Sequence, residues 1–445
     1  MDTIHVVGCG PTGMSIAWEL SKLANKNIHI YDKKLGPGGS WWEPKQQSHT
    51  SGTHRDLHSY RAVFKGSFVN TKDLFDEMGI KWTDVFGELG DKSPYGTLLR
   101  NLSPVDYLRL TSLSVRVLTS PLYYKHVSVK DAVGILSPGG QRVISSLPYV
   151  MDGVSWDVMS AYEFVKSFDW IALGTHQTQI VSGAVMSHHM EKALIARGVH
   201  FHYDKELLGV SYKSNGTYEA IFSDSDKSLS GGLLVLAVDH GPAKWLIGDN
   251  WGPSAHRKLE QTTYKSITFL LEYDEPQYLP SDAEMLARTP WHVLASVLED
   301  GKTVCCVLVD FDTKSPETGL TIGETPPGLL VTEVLRQSGL TRAPHRFCWG
   351  SEWDGDRWIH RQTAGVPCDI PFFGKNPSVA LCGMMSPRGT PFASIEAAIE
   401  VGRLFTQECF GVGRPLRPFL LTDFLKLLMI VLVLKHLMTK FRIFP

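Results

Sequence analysis

The chain lacks most of the signals that name a chemistry at a glance. Its 445 residues contain no CxxC pair, no P-loop and no hydrolytic Ser/His/Asp pattern. The seven cysteines (9, 305, 306, 348, 368, 382 and 409) are scattered, which points to neither a zinc site nor a disulfide framework. Lys and Arg number 44 against 46 Asp and Glu, a formal net charge of −2, so there is no basic footprint for a nucleic-acid partner. An apolar run opens almost at Met1 and leaves no room for a secretory leader. Asn215-Gly216-Thr217 matches a glycosylation sequon but reads more simply as a hairpin turn. These absences favour a reducing, cytosol-facing compartment. Apolar residues at 43% and charged residues at 20% are ordinary for a globular chain, and the length suffices for two or three domains with their own cores.

What is present begins at once. Ile4-His5-Val6-Val7 reads as a buried strand, Gly8-Cys9-Gly10-Pro11-Thr12-Gly13 as a glycine turn, and Met14 to Leu23 as a helix. A second strand, Ile28 to Tyr31, ends in Asp32, 19 residues past Gly13. Gly8 permits the tight turn, Gly10 lets backbone approach a pyrophosphate, and Gly13 lets helix and sheet pack closely. The helix N-terminus turns free N–H groups toward the phosphates, and an acid at this spacing takes a ribose hydroxyl. Strand, triplet, helix, strand and acid in order predict a dinucleotide site made by Gly8, Gly10, Pro11, Thr12, Gly13 and Asp32. A second glycine cluster, Gly38-Gly39, follows with Ser40-Trp41-Trp42, unusual for a plain NAD domain; the alternative is a surface loop.

The βαβ rhythm is lost from about residue 73 to 177, as expected for an inserted domain. It returns with a helix over Met186–Ala196, a strand over Val199–Tyr203, a hairpin around Asn215-Gly216, and the buried strand Leu233–Val238. Residues 249–365 are irregular and strand-rich. Val379–Cys382, Gly383, a loop and a helix over Ala393–Phe405 repeat the strand–glycine–helix pattern. In the tail, Leu427–Leu434 is wholly apolar, and Phe419–Met438 carries only Asp423, Lys426, Lys435 and His436. Three readings stay open for it: a membrane-spanning anchor, a helix lying in the bilayer interface, and a helix packed on the body.

In their order, these blocks resemble the flavin amine oxidase and phytoene desaturase superfamily of FAD enzymes. The matching residues are Gly8, Gly10, Gly13 and Asp32, then Gly38-Gly39, then Leu233–His240, then Gly383 with Ser394–Gly402. The resemblance covers about a third of the chain. It implies that the first turn holds the FAD pyrophosphate and that Lys34 and Ser40 stand where arginines support the ADP half. Leu207 would hold adenine by its backbone, and Ile395 would present its N–H to the pyrimidine end of the flavin ring, tuning hydride acceptance. Departures matter as well. Met385 replaces the usual acid that binds the ribityl chain, Thr268 stands at the lysine position of the amine oxidases, and Ser394 takes a position of their aromatic cage.

Other candidates carry two readings each. His54, with Arg55, follows the second glycine cluster and would meet substrate or lie in a surface loop. Arg388 would hold an anionic group or FAD, or serve structure. His200-x-His202 shares a strand face, which suits a metal, but no third ligand accompanies it, and an exposed strand face is the plainer reading. Trp349, Trp353 and Trp358 would line an apolar pocket or fill a core.

The expected fold is α/β. A discontinuous, doubly wound, Rossmann-like FAD-binding domain (1–72, 178–248 and 366–410) is interleaved with an α+β substrate domain (73–177 and 249–365). A C-terminal hydrophobic helix lies in a membrane-associating tail (411–445). The expected function is an FAD-dependent oxidoreductase that oxidises a C–N or C–C bond of a small-molecule substrate, lipophilic rather than a small amine. O2 or a membrane acceptor would reoxidise the flavin. The expected location is a membrane surface with the body facing the cytosol; the alternative is a soluble cytoplasmic protein. Two other functions remain open: a flavin monooxygenase, which would need NAD(P)H although no second glycine fingerprint is visible, and a non-enzymatic GDI-like binding protein on the same scaffold.

Overall fold

The computed structural model describes residues 2–41, 62–88, 100–181, 183–223, 228–261, 263–279, 288–297, 301–340, 344, 346–349, 351–359, 361–364 and 369–440. The chain opens with β1 (Asp2–Val7), α1 (Pro11–Leu20) and β2 (Lys26–Tyr31), followed by β3 (Ala62–Lys65), α2 (Val69–Met78) and β4 (Phe86–Glu88). A helical region follows, chiefly α3 (Pro104–Thr119), α4 (Pro138–Asp152) and α5 (Ala161–Ile171). Next come β5 (Thr175–Gln179), α6 (Gly183–Ile195), β6 (His200–His202), the hairpin β7 (Leu207–Tyr212) and β8 (Tyr218–Phe222), and β9 (Leu233–Leu236). The second half holds β10 (Thr263–Glu272), β11 (Leu294–Val297), β12 (Thr303–Leu308), α7 (Pro327–Ser338) and β13 (Arg346–Trp349). It ends with β14 (Val379–Leu381), α8 (Ile395–Phe410) and α9 (Leu421–Lys440).

The first sheet is parallel throughout, in the order β14–β9–β1–β2–β6. Its strands are short, and β9 and β14 are wholly apolar because helices cover one face and a hairpin the other. Ile4, Val6, Ile28 and Ile30 point to the helical side, where α1, α6 and α8 complete the core. Val7, Leu234 and Leu236 point to the opposite side, against Leu207, Tyr218 and Phe222 of the hairpin. The closest helix pair is α1 with α8: a side chain at Gly402 would lie 2.0 Å from the Ser15 hydroxyl, so only glycine lets the two backbones approach. A buried ion pair fixes the same contact, Arg403 Nε to Glu19 at 3.1 Å, with Arg403 Nη2 reaching Asp73 of α2 at 2.8 Å.

The helical region has its own core, including Leu113, Val117, Ile144, Leu147, Met159 and Phe164. Its helices start sharply because Ser103 and Ser160 form reciprocal capping boxes with Asp106 and Glu163. The second sheet is antiparallel, in the order β11–β12–β10–β13. Its outer face (Phe269, Leu271, Val304, Cys306, Leu308) packs on Leu330 and Val334 of α7.

The spanning reading of the tail is corrected here. Among the described residues no helix is long and apolar enough to cross a membrane. The reason is charge: the 20 residues of α9 reach about 30 Å, but Asp423, Lys426, Lys435 and Lys440 leave an unbroken apolar run, Leu427–Leu434, of only about 12 Å. Packing on the body is also not what α9 does. Its start is tied to α5 by Thr422, whose N–H and hydroxyl donate to Asp169 at 2.8 and 3.0 Å. From Phe424 to Leu434 its apolar side chains are then exposed.

Candidate cofactor and substrate site

Three loops meet at the carboxyl ends of adjacent parallel strands. At the end of β1, Gly8 has φ +109 and donates its N–H to the Tyr31 carbonyl at 2.7 Å. A Cβ at Gly8 would stand 2.1 Å from the Ala237 oxygen, beyond β9, and one at Gly13 would stand 2.0 Å from the Gly8 oxygen. Those two glycines are required by the protein's own packing. Gly10 differs: a Cβ there meets only the Gly39 Cα, at 3.9 Å. Gly39, with φ +55, brings its backbone up to Gly10, and Gly38 donates to the Cys9 carbonyl at 2.8 Å. The two glycine clusters therefore face each other backbone to backbone. Gly10 caps α1 with no side-chain hydrogen bond, and Pro11 fills the first helical position, where no N–H is needed. The N–H groups of the first turn, at Thr12 and Gly13, are thus left for a ligand.

Asp32 is buried and ties this turn together. Its carboxylate accepts from the Cys9 N–H at 2.7 Å and the Lys34 N–H at 2.9 Å, one bond per oxygen. Each oxygen keeps a lone pair for a ribose hydroxyl. Lys34 does something the sequence did not suggest: its ammonium donates to the Gly39 carbonyl at 2.6 Å and so holds the second glycine cluster. Ser40 lies in the short turn Gly39–Trp41, its side chain outside the described residues, and His54 lies outside them entirely. Leu207 opens β7, buried, opposite Phe222.

The third loop follows β14. A Cβ at Gly383 would lie 2.8 Å from the Val238 oxygen, which places this turn beside the Ala237–Val238 segment that also backs Gly8. Arg388 braces its own loop, donating Nε to the Thr390 carbonyl at 3.0 Å and Nη1 to the Met384 carbonyl. Glu400 of α8 accepts from the Gly389 N–H, the Thr390 N–H and the Thr390 hydroxyl at 2.9, 2.8 and 2.6 Å. Ser394 caps α8 by accepting from the Ala397 N–H at 3.2 Å, so its hydroxyl serves the helix. Ile395 is the first helical residue, ahead of the intrahelical bonds.

Glu396, next to it, was quoted in the sequence only as part of a motif. Fully buried, it accepts four hydrogen bonds from Asn70 and Thr71, at 2.9 and 2.7 Å and at 2.8 and 2.8 Å. Burial pushes its carboxyl up to about 7, against the pull of those donors. Asn70 also exchanges hydrogen bonds with the Leu416 backbone, so the start of the tail is anchored to the same point.

Thr268 lies nearly buried in β10 opposite Val307, and Met385 is fully buried in the hairpin-side core. Trp358 belongs to the core of the second sheet, donates Nε1 to the Thr325 carbonyl at 2.8 Å, and meets Trp353 edge-on at 5.4 Å. Those two indoles are packing residues. Trp349 pairs with Phe269 through the backbone, its side chain outside the described residues. His200 and His202 join His5, His29 and Tyr31 in a stack across β1, β2 and β6, with His29 Nδ1 2.9 Å from His202 Nε2. Burial first, then His29 and His202, lowers His5 to about 4, which suits a neutral stack. Among the described residues no group of three or more His, Cys, Asp or Glu side chains is arranged to hold a metal ion.

Residues 6–77 match the NAD(P)-binding Rossmann-like domain family. No curated protein matches the sequence. Solved structures match along nearly the whole chain. Putrescine oxidase bound to putrescine is 14% identical, with TM-score 0.62, over 92% of this chain and 99% of that one. Cyclohexylamine oxidase from Brevibacterium oxydans is 12% identical, with TM-score 0.55, over 92% and 99%. The fatty acid isomerase from P. acnes that produces CLA is 12% identical, with TM-score 0.60, over 92% and 99%. The first segment is therefore a Rossmann-like unit, and nearly the whole chain shares the fold of these solved oxidases and the isomerase.

Proposed function

We propose that the chain is an FAD-dependent oxidoreductase of amine oxidase or desaturase type, acting on a C–N or C–C bond of a lipophilic small molecule. One observation carries the reading. The glycine turn, the Ala237–Val238 segment and the Gly383 loop converge at the carboxyl ends of β1, β9 and β14, where open α/β sheets bind ligands. At Gly10 the nearest atom to a built Cβ is the Gly39 Cα at 3.9 Å, so this cradle has the room an approaching pyrophosphate needs. Bound there, FAD supplies the acceptor for a hydride from substrate. The protein's own groups bind and orient: the Thr12 and Gly13 N–H groups toward the pyrophosphate, Asp32 toward the ribose, and the Ile395 N–H toward the ring. Thr268 offers a hydroxyl where the amine oxidases carry an ammonium, and Ser394 stands at a position of their aromatic cage, which favours an apolar substrate over a small amine.

The test is the visible spectrum of the purified full-length chain. Absorption near 450 nm at about one flavin per chain is expected. A colourless protein that takes up no added FAD would sink the reading. Loss of that absorption on adding NADPH alone would replace it with the monooxygenase.

We further infer that the tail lies on a membrane surface. Apolar side chains from Phe424 to Leu434 are 44–66% exposed around α9, and an apolar helix left uncovered in water calls for a partner. Vesicles of neutral and anionic phospholipid should co-sediment the full chain but not one ending at Leu420, a cut that spares the Asn70–Leu416 anchor. Equal sedimentation of the two forms would refute this.

A further inference from the structure

Four histidines lie together on one face of the parallel sheet, and the proposed chemistry uses none of them. Cross-strand register places His5 beside His29 and His29 beside His200, with Tyr31 between Val7 and His202. These side chains point away from the helices, because Ile4, Val6, Ile28 and Ile30 alternate with them and fill the helical side. The hairpin reaches this face of β1 and β2 at Val7 and Tyr31, where Phe222 meets the Tyr31 ring at 4.9 Å. The imidazoles stack on one another. Between ring centroids His29 lies 5.7 Å from His5, 5.0 Å from His200 and 5.2 Å from His202, and Tyr31 lies 4.6 Å from His202.

Two bonds tie the stack, His29 Nδ1 to His202 Nε2 at 2.9 Å and His5 Nδ1 to the Tyr31 hydroxyl at 3.2 Å. The first needs one donor and one acceptor. Two imidazolium rings both donate, so full protonation abolishes it and sets like charges face to face. The other titratable or charged groups near the stack are Tyr31, Tyr218 of the hairpin beside it, and Lys205 beyond His202. None of these supplies a negative charge at or below neutral pH, and among the described residues no carboxylate bonds to any of the four rings. Burial first, then the neighbouring imidazoles, holds His5 down to about 4 and lowers His29 and His202, so these three are neutral at pH 7. The backbone of the same strands holds the cofactor turn. The Tyr31 carbonyl accepts from the Gly8 N–H at 2.7 Å, and the His202 carbonyl from the Asp32 N–H at 3.0 Å. The Asp32 and Lys34 carbonyls accept in turn from the Lys205 and Asp204 N–H groups at 2.9 and 3.1 Å, which ties the loop after β6 to the loop after β2.

We propose that the histidine stack positions Gly8 and Asp32, clamping β6 to β2 while its rings are neutral and releasing the dinucleotide site when they take up protons. The consequence for FAD rests on the oxidoreductase reading; the proton-dependent hold on Gly8 and Asp32 does not. A histidine that titrates lower in the stack than when free adds stability that is fully present above about 6.5. That stability is lost as the pH falls toward about 4. Within this window each such histidine favours the opened strand by up to about tenfold per pH unit.

The test compares the full-length protein with the double variant His5→Phe/His29→Gln. The glutamine keeps an amide to bond His202, the phenylalanine keeps a ring, and neither titrates. Each protein is loaded with FAD and desalted at a series of pH values from 8 to 4.5. Absorbance near 450 nm per chain is read beside far-ultraviolet circular dichroism. The wild type should shed most of its flavin between pH 6.5 and 4.5 with its circular dichroism unchanged. The variant should hold flavin to about one pH unit lower. Hydrogen exchange in the flavin-free proteins gives a second readout. Corrected for intrinsic rate, exchange at the Gly8 and Asp32 amides should speed about tenfold from pH 7 to pH 5 in the wild type and stay level in the variant. If the variant does not fold, the wild-type exchange profile alone decides. Release at the same pH in both proteins, or level exchange at those amides in the wild type, would overturn the proposal and leave the histidines as packing. A protein that takes up no flavin but shows the pH-dependent exchange defeats the oxidoreductase reading and keeps the positioning role. Flavin retained alike at every pH, with level exchange, does the reverse.

Discussion

Gly10→Val is expected to give a folded protein that no longer retains flavin. The argument rests on a contrast within one turn. A Cβ at Gly8 or Gly13 would collide with a carbonyl oxygen, at 2.1 and 2.0 Å, and Gly8 also needs φ +109. Valine at either position should therefore cost folding itself. Gly10 has an ordinary φ of −82, and its built Cβ meets nothing nearer than the Gly39 Cα at 3.9 Å. The valine side chain would occupy the ground on which the first turn of α1 meets a pyrophosphate. A loss of roughly a hundredfold or more in flavin affinity is expected, about 2.8 kcal/mol. Absorbance at 450 nm per chain and the melting temperature of the flavin-free protein separate the two outcomes. Unchanged flavin content in a folded Gly10→Val variant would refute the loop geometry.

The same contrast explains what could be read in advance. The turn at Gly8–Gly13, its helix and the acid at Asp32 lie within a few dozen residues, and each carries a local signal: an apolar strand, glycine where a side chain has no room, a helix period. The second cluster at Gly38-Gly39 was legible for the same reason, and its apposition to Gly10 gives it meaning. Local pattern could not assign partners. Lys34, expected to support the ADP half, donates to the Gly39 carbonyl, a partner its position in the sequence did not indicate. Arg388, open between an anion or FAD and a structural role, braces the carbonyls of Met384 and Thr390. Glu396 gave no signal, because its donors, Asn70 and Thr71, are more than 300 residues away in sequence. For the tail, composition left a membrane span open beside two other readings. Eight unbroken apolar residues satisfy a hydropathy average more easily than they satisfy a bilayer's thickness.

The longest-range of these pairings supports the second large effect. Arg403→Met is expected to destabilise the protein by about 3 kcal/mol, because breaking a buried pair from one side strands the other charge. Arg403 is 2% exposed and Glu19 1% exposed, and their contact is 3.1 Å. Glu19 keeps one other cation, Lys22 at 2.6 Å, which is partly exposed and so replaces the guanidinium only in part. The double variant Glu19→Gln/Arg403→Met removes both charges and should recover more than half of the loss. Urea midpoints at neutral pH for the four proteins of this cycle measure the coupling. If Arg403→Met alone cost less than about 1 kcal/mol, the pair would be no stronger than a surface contact. The consequence reaches the cofactor site. The guanidinium joins the middle of α8 to α1 and, through Asp73, to α2, while Glu396 at the start of α8 takes its donors from α2 as well. With the middle of α8 released, the helix holds Ile395, the proposed contact to the flavin ring, less firmly. Arg403→Met should then lower flavin occupancy as well as stability, and the double variant should restore both together.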